Sequence, residues 1–387
     1  MKNQHTRRDV IKGGFALAGL SMIGLPEFVL PVLAQSETLV PFTDIPENVR
    51  WDTPPDRRML DVRTIDGPFV ARDKFATTQH YGHPDVDLAA WKLKISGLVD
   101  RPKQLTIDDL KKVGSKDFVA GFECSGNRGP LQGLCGNGKW TGVGLKEVLD
   151  SCGVKPSARE FVFFGADKGE EEVEWRTQKY KIDVPFGRSL NREKALSGEP
   201  FLAWAMNGEP LSKHQGAPLR LIVPGWYGVA NVKWLSQIHI QEDAYVGKYQ
   251  ARWYRTVRGE MIDGEMKYME TAVTHMNLKS FVARVTKSGN TAKVTGVILN
   301  DGTPIKSVEV KVDDGPWQPA TLDPATSKEK FGWKLFTYTW NNPTPGAHTL
   351  VSRVTDMKGV QPTAEDLKEK KSFLEENSQA PRKVMIS

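Results

Sequence analysis

The sequence predicts an α+β protein in two parts: a mixed α/β domain over residues 35–277 and a small β-sandwich over residues 278–387. Three observations predict it. Trp91–Gly97 alternates as a half-buried strand and is followed by Leu105-Thr106-Ile107-Asp108-Asp109-Leu110, a helix start with Thr106 as N-cap. Between 117 and 240, apolar strand-like runs are joined by glycine-bearing connections. From about Leu278 the chain turns to short strands, Phe281–Val285, Ala292–Leu299, Val308–Val312, Lys334–Trp340 and Thr349–Val354, with turn signals at Asp301-Gly302 and Asp314-Gly315.

The 387 residues, 39% hydrophobic and 26% charged, suffice for a large core. Of the formal charge of +6, Lys2, Arg7, Arg8 and Lys12 against Asp9 and Glu27 place +2 in the first 34 residues, leaving +4 beyond. That surplus suits an anionic substrate or cofactor. It is too small and too evenly spread for nucleic acid, which calls for a basic stripe with interleaved aromatics.

Arg7-Arg8 precedes the apolar segment Gly13–Leu25, then Pro26 and Val32-Leu33-Ala34-Gln35. This has the form of a twin-arginine export signal over residues 1–34, cleaved after Ala34. Pro26-Glu27 interrupts the apolar run before the roughly 20 residues a membrane span needs. The expectation is a periplasmic mature chain with no membrane span, exported folded around a complex cofactor.

Residues 36–66 read as an extended surface arm. Pro68–Lys74 reads as an apolar strand closed by Arg72, and His80 and His83 as a histidine pair without the second ligand cluster that zinc requires. The strand Asp117–Phe122 then delivers Cys124 onto the loop Gly121-Phe122-Glu123-Cys124-Ser125-Gly126-Asn127-Arg128-Gly129-Pro130. Its glycines let backbone approach a bulky ligand. Asn127 and Arg128 supply an amide and a cation beside the thiol, and a cation favours the metal-binding thiolate.

Gly133–Lys139 nearly spells a phosphate-binding loop, but Trp140 stands where Ser or Thr must follow the lysine, and Thr141 occupies the third Rossmann glycine position. Trp140 reads equally as pocket wall or packing residue, ahead of a helix over Lys146–Cys152. Glu171–Lys181 is a charged, exposed hairpin or loop. Phe201–Leu211, Gly216–Gly225 and Val232–Leu235 give a turn at Asn207-Gly208 and strands Leu219–Val223 and Trp234–Ile240. Arg220 and Lys233 are the cations in that block, suited to a phosphate tail. In Tyr249–Arg255, Tyr254 is an aromatic hydroxyl beside cations, able to donate to an oxyanion and relay a proton. The charged tail, 364–387, reads as lying along the surface.

Cys124, Cys135 and Cys152 are an odd set, so at least one is unpaired unless a bridge joins two chains. A Cys135–Cys152 bridge and two reduced thiols both remain open. No Cys-x-x-Cys-His is present to attach a c-type haem, so the electron acceptor is another molecule.

Cys124-Ser125-Gly126-Asn127-Arg128 resembles the Cys-x-Gly-Asn-Arg segment of the sulfite oxidase family, and the resemblance extends over roughly Pro68–Val360. It implies a sulfite-oxidase-like molybdopterin domain followed by an immunoglobulin-like sandwich that carries a dimer contact. It implies the molybdenum cofactor (molybdopterin, Mo) with Cys124 as the protein's ligand to molybdenum. Asn127, Arg128, Arg220 and Lys233 would contact the cofactor, and Arg72 and Tyr254 would face the substrate. The implied reaction is oxidation of sulfite to sulfate with electrons passed singly to a c-type cytochrome, in a homodimer or a heterodimer with a cytochrome subunit. Two departures, Gln215 where animal members carry histidine and Gly129 where they carry a second arginine, keep open a sulfane dehydrogenase subunit acting on a carrier-bound sulfur. A non-enzymatic periplasmic interaction protein is the remaining alternative.

Overall fold

Thr106 caps the helix Ile107–Val113: its Oγ1 accepts from the Asp109 amide at 3.1 Å, and the Asp109 carboxylate accepts from the Thr106 amide at 3.1 Å. The computed structural model describes residues 37–53 and 57–387. The twin-arginine segment therefore lies outside the described residues.

The first part is built on two five-stranded sheets, with a two-stranded and a small three-stranded sheet beside them. One runs Gln178–Asn191, Glu160–Trp175, Leu235–Gln241, Leu93–Gly97, Lys103–Leu105, with a parallel pairing between Leu235–Gln241 and Leu93–Gly97. The other runs Glu209–Pro210, Phe201–Met206, Cys135–Gly144, Lys116–Glu123, with Arg220–Ile222 also on Phe201–Met206. Leu93, Ile95, Phe161, Phe163 and Ile238 meet Leu202, Leu221 and the helix residues Leu145, Val148 and Leu149 in one buried cluster. Their alternation along each strand puts one face inward, and burial of that face is the main favourable term. At Gly142 a Cβ would lie 2.0 Å from the Leu202 carbonyl oxygen, so this crossing of strands accepts only glycine.

Glu160–Trp175 and Gln178–Asn191 project beyond the sheet as the exposed hairpin the charge pattern predicts, with Arg176 at φ 56° in its turn. The second part is a sandwich. A five-stranded sheet (Thr38–Leu39, Lys279–Ser288, Thr291–Leu299, Lys334–Asn341, Thr321–Leu322) packs on a four-stranded one (Gln318–Pro319, Ile305–Val312, Gly346–Asp356, Pro381–Ile386). Val285, Val294, Trp340, Leu350 and Val384 fill the space between.

Three sequence expectations are corrected. The arm 36–66 does not wrap the surface: Thr38–Leu39 completes the sandwich sheet, Val40, Phe42 and Ile45 enter its core, and Leu60, Val62 and Ile65 enter the core beside the cysteine loop. Its apolar residues are too widely spaced to show a period, yet these six each find a core. The tail is likewise built in, because Pro381–Ile386 pairs with Gly346–Asp356 and alternates exposed and buried, while Leu374 is buried with the first part. Pro68–Lys74 forms bends and a turn rather than a strand. Among the described residues no helix is long and apolar enough to cross a membrane.

Candidate active site

The strand Lys116–Glu123 pairs along its length with Cys135–Gly144, and the loop between them carries Cys124. The loop is tied by the Cys124 amide to the Leu134 carbonyl at 2.8 Å, the Asn127 amide to the Cys124 carbonyl at 2.9 Å, and the Gly126 amide to Cys124 Sγ at 3.4 Å. Asn127 is a strut within it. Its Nδ2 donates to Glu123 Oε2 at 2.8 Å and its Oδ1 accepts from the Leu134 amide at 3.0 Å.

Cys124 lies on the wall of a cavity, with His80, Asp167, Arg220, Lys233 and Tyr254 also lining it. Burial pushes the Cys124 thiol up and Glu123 adds to this, against the Gly126 amide, Lys279 and Arg57. The expectation that Arg128 favours the thiolate is therefore corrected: Arg128 is exposed, stacks over Phe373 at 5.0 Å, and is not among the cavity-lining residues.

Arg220, buried, and Lys233, half-buried, lie in the wall and are held by neutral oxygens. Arg220 Nη1 donates to the Gln215 carbonyl at 3.0 Å and Nη2 to the Asn231 carbonyl at 3.2 Å, while its Nε has no partner. The guanidinium rests over Trp140 at 4.9 Å, and burial lowers its pKa to about 9. Lys233 Nζ donates to Thr77 Oγ1 at 2.8 Å, the Thr78 carbonyl at 3.0 Å and Gln79 Oε1 at 2.9 Å. Burial, then the Arg220 charge, holds it well below the usual lysine range, with Asp167 opposing. Asp167 Oδ1 is buried without a partner, and burial raises this carboxyl to about 6.

Tyr254 Oη and His80 Nε2 are 2.9 Å apart, and the His80 ring is stacked on Tyr249 at 4.4 Å. Burial, with the charges of Lys233 and Lys248, depresses His80 to about 4, so it is neutral at ordinary pH. Burial also raises the Tyr254 phenol, and the Cys124 sulfur adds to this.

Arg72 requires correction. It is not among the residues lining the cavity: Nη2 pairs with Glu209 at 2.7 Å, and Nη1 donates to the Pro210 carbonyl at 2.8 Å. The cavity wall comes instead from Phe75–His80, a few residues further on. Trp140 is a packing residue, fully buried, with Nε1 on the Ala120 carbonyl at 3.0 Å. Gln215 is buried and donates to the Arg72 carbonyl at 2.6 Å. His83 meets His214 edge to face at 4.5 Å rather than pairing with His80. Cys135 and Cys152 are buried free thiols.

Sequence reasoning missed His80, Asp167, Glu123 and Lys279. His80 was visible only as half of a histidine pair, and the carboxylates and lysine carry no local motif.

The donor set fits a metal that brings its own ligands. Among the described residues no three His, Cys, Asp or Glu side chains cluster to hold an ion, yet the half-buried Cys124 lines the cavity, as does the buried Cys135. The unpartnered Arg220 Nε and Asp167 Oδ1 are the kind of buried polar atoms a bound pterin would satisfy.

Comparison with known proteins agrees. The oxidoreductase molybdopterin binding domain family matches residues 80–249. Mitochondrial sulfite oxidase of Drosophila melanogaster is 27% identical over 70% of this chain and 50% of that protein. Sulfite oxidase of Arabidopsis thaliana is 26% identical over 68% of this chain and 75% of that protein. An NADH nitrate reductase of Ulva prolifera is 31% identical over 45% of this chain and 21% of that protein. The chain thus spans half of the Drosophila protein's length. The fold matches that of the sulfane dehydrogenase SoxCD from Paracoccus pantotrophus, with a TM-score of 0.71 and 23% identity over 95% of this chain and 96% of that one. A cysteine on the cavity wall, in a domain shared with molybdopterin-dependent oxidoreductases, makes molybdopterin with molybdenum the cofactor, and the chain is similar to sulfite oxidases over most of its length.

Proposed function

We propose that this chain is a periplasmic molybdenum-cofactor oxidoreductase that oxidises sulfite to sulfate and passes the electrons singly to an external c-type cytochrome. One observation carries the reading: Cys124 lines a cavity whose wall also holds two cations, the buried Arg220 and the half-buried Lys233. Cys124 would bind the metal, and Arg220 and Lys233 would hold the anionic pterin tail. When bound, the group supplies oxygen-atom transfer to sulfur coupled to two-electron reduction.

The chain's own residues do the rest. Phe75, Phe122 and Phe186 line the cavity with apolar surface that limits water and strengthens polar interactions within it. The Tyr254 hydroxyl, protonated throughout the ordinary range, is a fixed donor toward an oxyanion. His80, neutral and 2.9 Å from that hydroxyl, orients it at the cavity wall. The export motif at Arg7-Arg8 supports the periplasmic assignment, and the absence of a haem-attachment motif from the sequence supports a separate acceptor.

A second reading, oxidation of a sulfur carried on a partner protein's cysteine, is favoured by the placement of Arg72. With that guanidinium on Glu209, Arg220 and Lys233 are the arginine and lysine of the cavity wall, and both are assigned to the cofactor. Steady-state oxidation of free sulfite separates the two. Saturable reduction of cytochrome c by sulfite supports the first. Stoichiometric molybdenum without sulfite turnover supports the second, and a folded, correctly matured protein without molybdenum contradicts both.

A further inference from the structure

We propose that Lys279, on a strand of the sandwich, is a positioning residue for the metal-ligating cysteine. The inference rests on the reading of Cys124 as the molybdenum ligand. Lys279 begins the strand Lys279–Ser288, and its side chain and that of Glu123 are each 1% exposed. Its ammonium donates to Glu123 Oε2 at 3.0 Å and to the Asn127 carbonyl at 2.7 Å. Glu123 and Asn127 flank Cys124-Ser125-Gly126 on either side, so one cation fastens both ends of the short segment that carries the sulfur.

The clamp is closed by further bonds. Asn127 Nδ2 donates to the same Glu123 oxygen at 2.8 Å, and the Glu375 amide, from the C-terminal segment, donates to the Ser125 carbonyl at 2.6 Å. Three successive stations of the cysteine loop, at 123, 125 and 127, are thus held by residues from beyond 277.

An ion pair is an inefficient way to stabilise a core, because desolvation offsets most of the attraction and apolar residues of similar volume serve as well or better. A buried pair retained here, with Glu123 Oε1 left without a partner, has a geometric role instead. It fixes where Cys124 sits, and it neutralises a carboxylate on the residue bonded to the cysteine. The sandwich therefore completes the site.

The test uses the full-length mature chain, comparing wild type with Lys279→Arg, Lys279→Met and the double variant Lys279→Met/Glu123→Gln, which leaves no unpaired charge. Hydrogen exchange of the 122–128 backbone is measured on cofactor-free protein, and the molybdenum EPR spectrum on loaded protein. Lys279→Met is expected to speed loop exchange by about tenfold or more with the helix Ile107–Val113 unchanged, and to alter the EPR spectrum. Lys279→Arg is expected to recover part of both. Should Lys279→Met not fold, the double variant is expected to fold with the loop still fast. Wild-type loop exchange and a wild-type spectrum in the double variant would overturn the proposal, as would loosening spread evenly over the chain. Absence of molybdenum from wild type would overturn the reading of Cys124 as ligand, while the exchange measurement would still report on the clamp.

Discussion

Tyr254 Oη and His80 Nε2 stand 2.9 Å apart on the cavity wall, a protonated phenol against a neutral imidazole. Burial holds both in their neutral forms, which makes Tyr254 a fixed hydrogen-bond donor rather than a proton source. Tyr254→Phe removes that donor and leaves the ring. It is expected to lower kcat by about 10²-fold, the usual cost of losing one preorganised donor to an oxyanion, with molybdenum content unchanged. Stopped-flow reduction and metal analysis on the same sample check this, and a kcat within a few-fold of wild type would remove Tyr254 from the mechanism.

Arg72 makes a contrasting case. Its pair with Glu209 is largely solvated, with side chains 35% and 59% exposed, and such pairs contribute at most about 1 kcal/mol. Arg72→Ala is expected to leave the KM for the sulfur substrate within about twofold and stability within about 0.5 kcal/mol. A large rise in KM at unchanged stability would place this guanidinium at the substrate after all.

Gly136 backs the cavity wall. A Cβ there would lie 2.7 Å from Phe75 Cε2, and that ring already packs edge-on against Phe122 at 5.4 Å and Trp140 at 5.5 Å. The space open to the displaced ring is the cavity that Phe75 lines. Gly136→Ala is expected to cost about 1–3 kcal/mol by overpacking and to reduce molybdenum content while far-UV circular dichroism stays unchanged. Full metal occupancy in the variant would show that the ring can yield elsewhere.

The sandwich carries a pH signature. His348 Nδ1 is 2.7 Å from Asp313 Oδ2; burial lowers the imidazole, but the Asp313 bond, the Thr344 carbonyl and the Asp313 charge together raise it. A histidine raised on folding stabilises below its unfolded pKa of about 6.5, and that contribution is lost as pH rises through the folded value. His348→Gln is therefore expected to lower the melting temperature most on the acid side and little in alkali. An equal loss at all pH values would assign the effect to packing against Trp340 instead.

Much of this was legible in the sequence because it is local. Thr106 announces its helix through a capping box spanning four residues, Asn207-Gly208 announces its turn, and short strands separated by turn signals from Phe281 onward announce the sandwich. Cys124, Arg220, Lys233 and Tyr254 do share one cavity. What failed is what depends on distant partners. Arg72 finds Glu209, 137 residues on, and Lys279 finds Glu123 across 156 residues; neither meeting leaves a trace in spacing. The arm and the tail misled for a related reason. The arm contributes single buried side chains, Phe42 among them, to a core built by other elements, and the tail's alternation is confined to the six residues Pro381–Ile386 behind a charged segment.

The most direct test of the central claim is molybdenum content in wild type and Cys124→Ser, each purified after export, with sulfite-dependent electron transfer measured on both. Stoichiometric molybdenum and turnover in wild type, with turnover abolished and metal depleted or spectroscopically altered in a folded Cys124→Ser, is the predicted result. Unaltered molybdenum and unaltered turnover in Cys124→Ser would contradict the assignment of Cys124 as the metal's protein ligand.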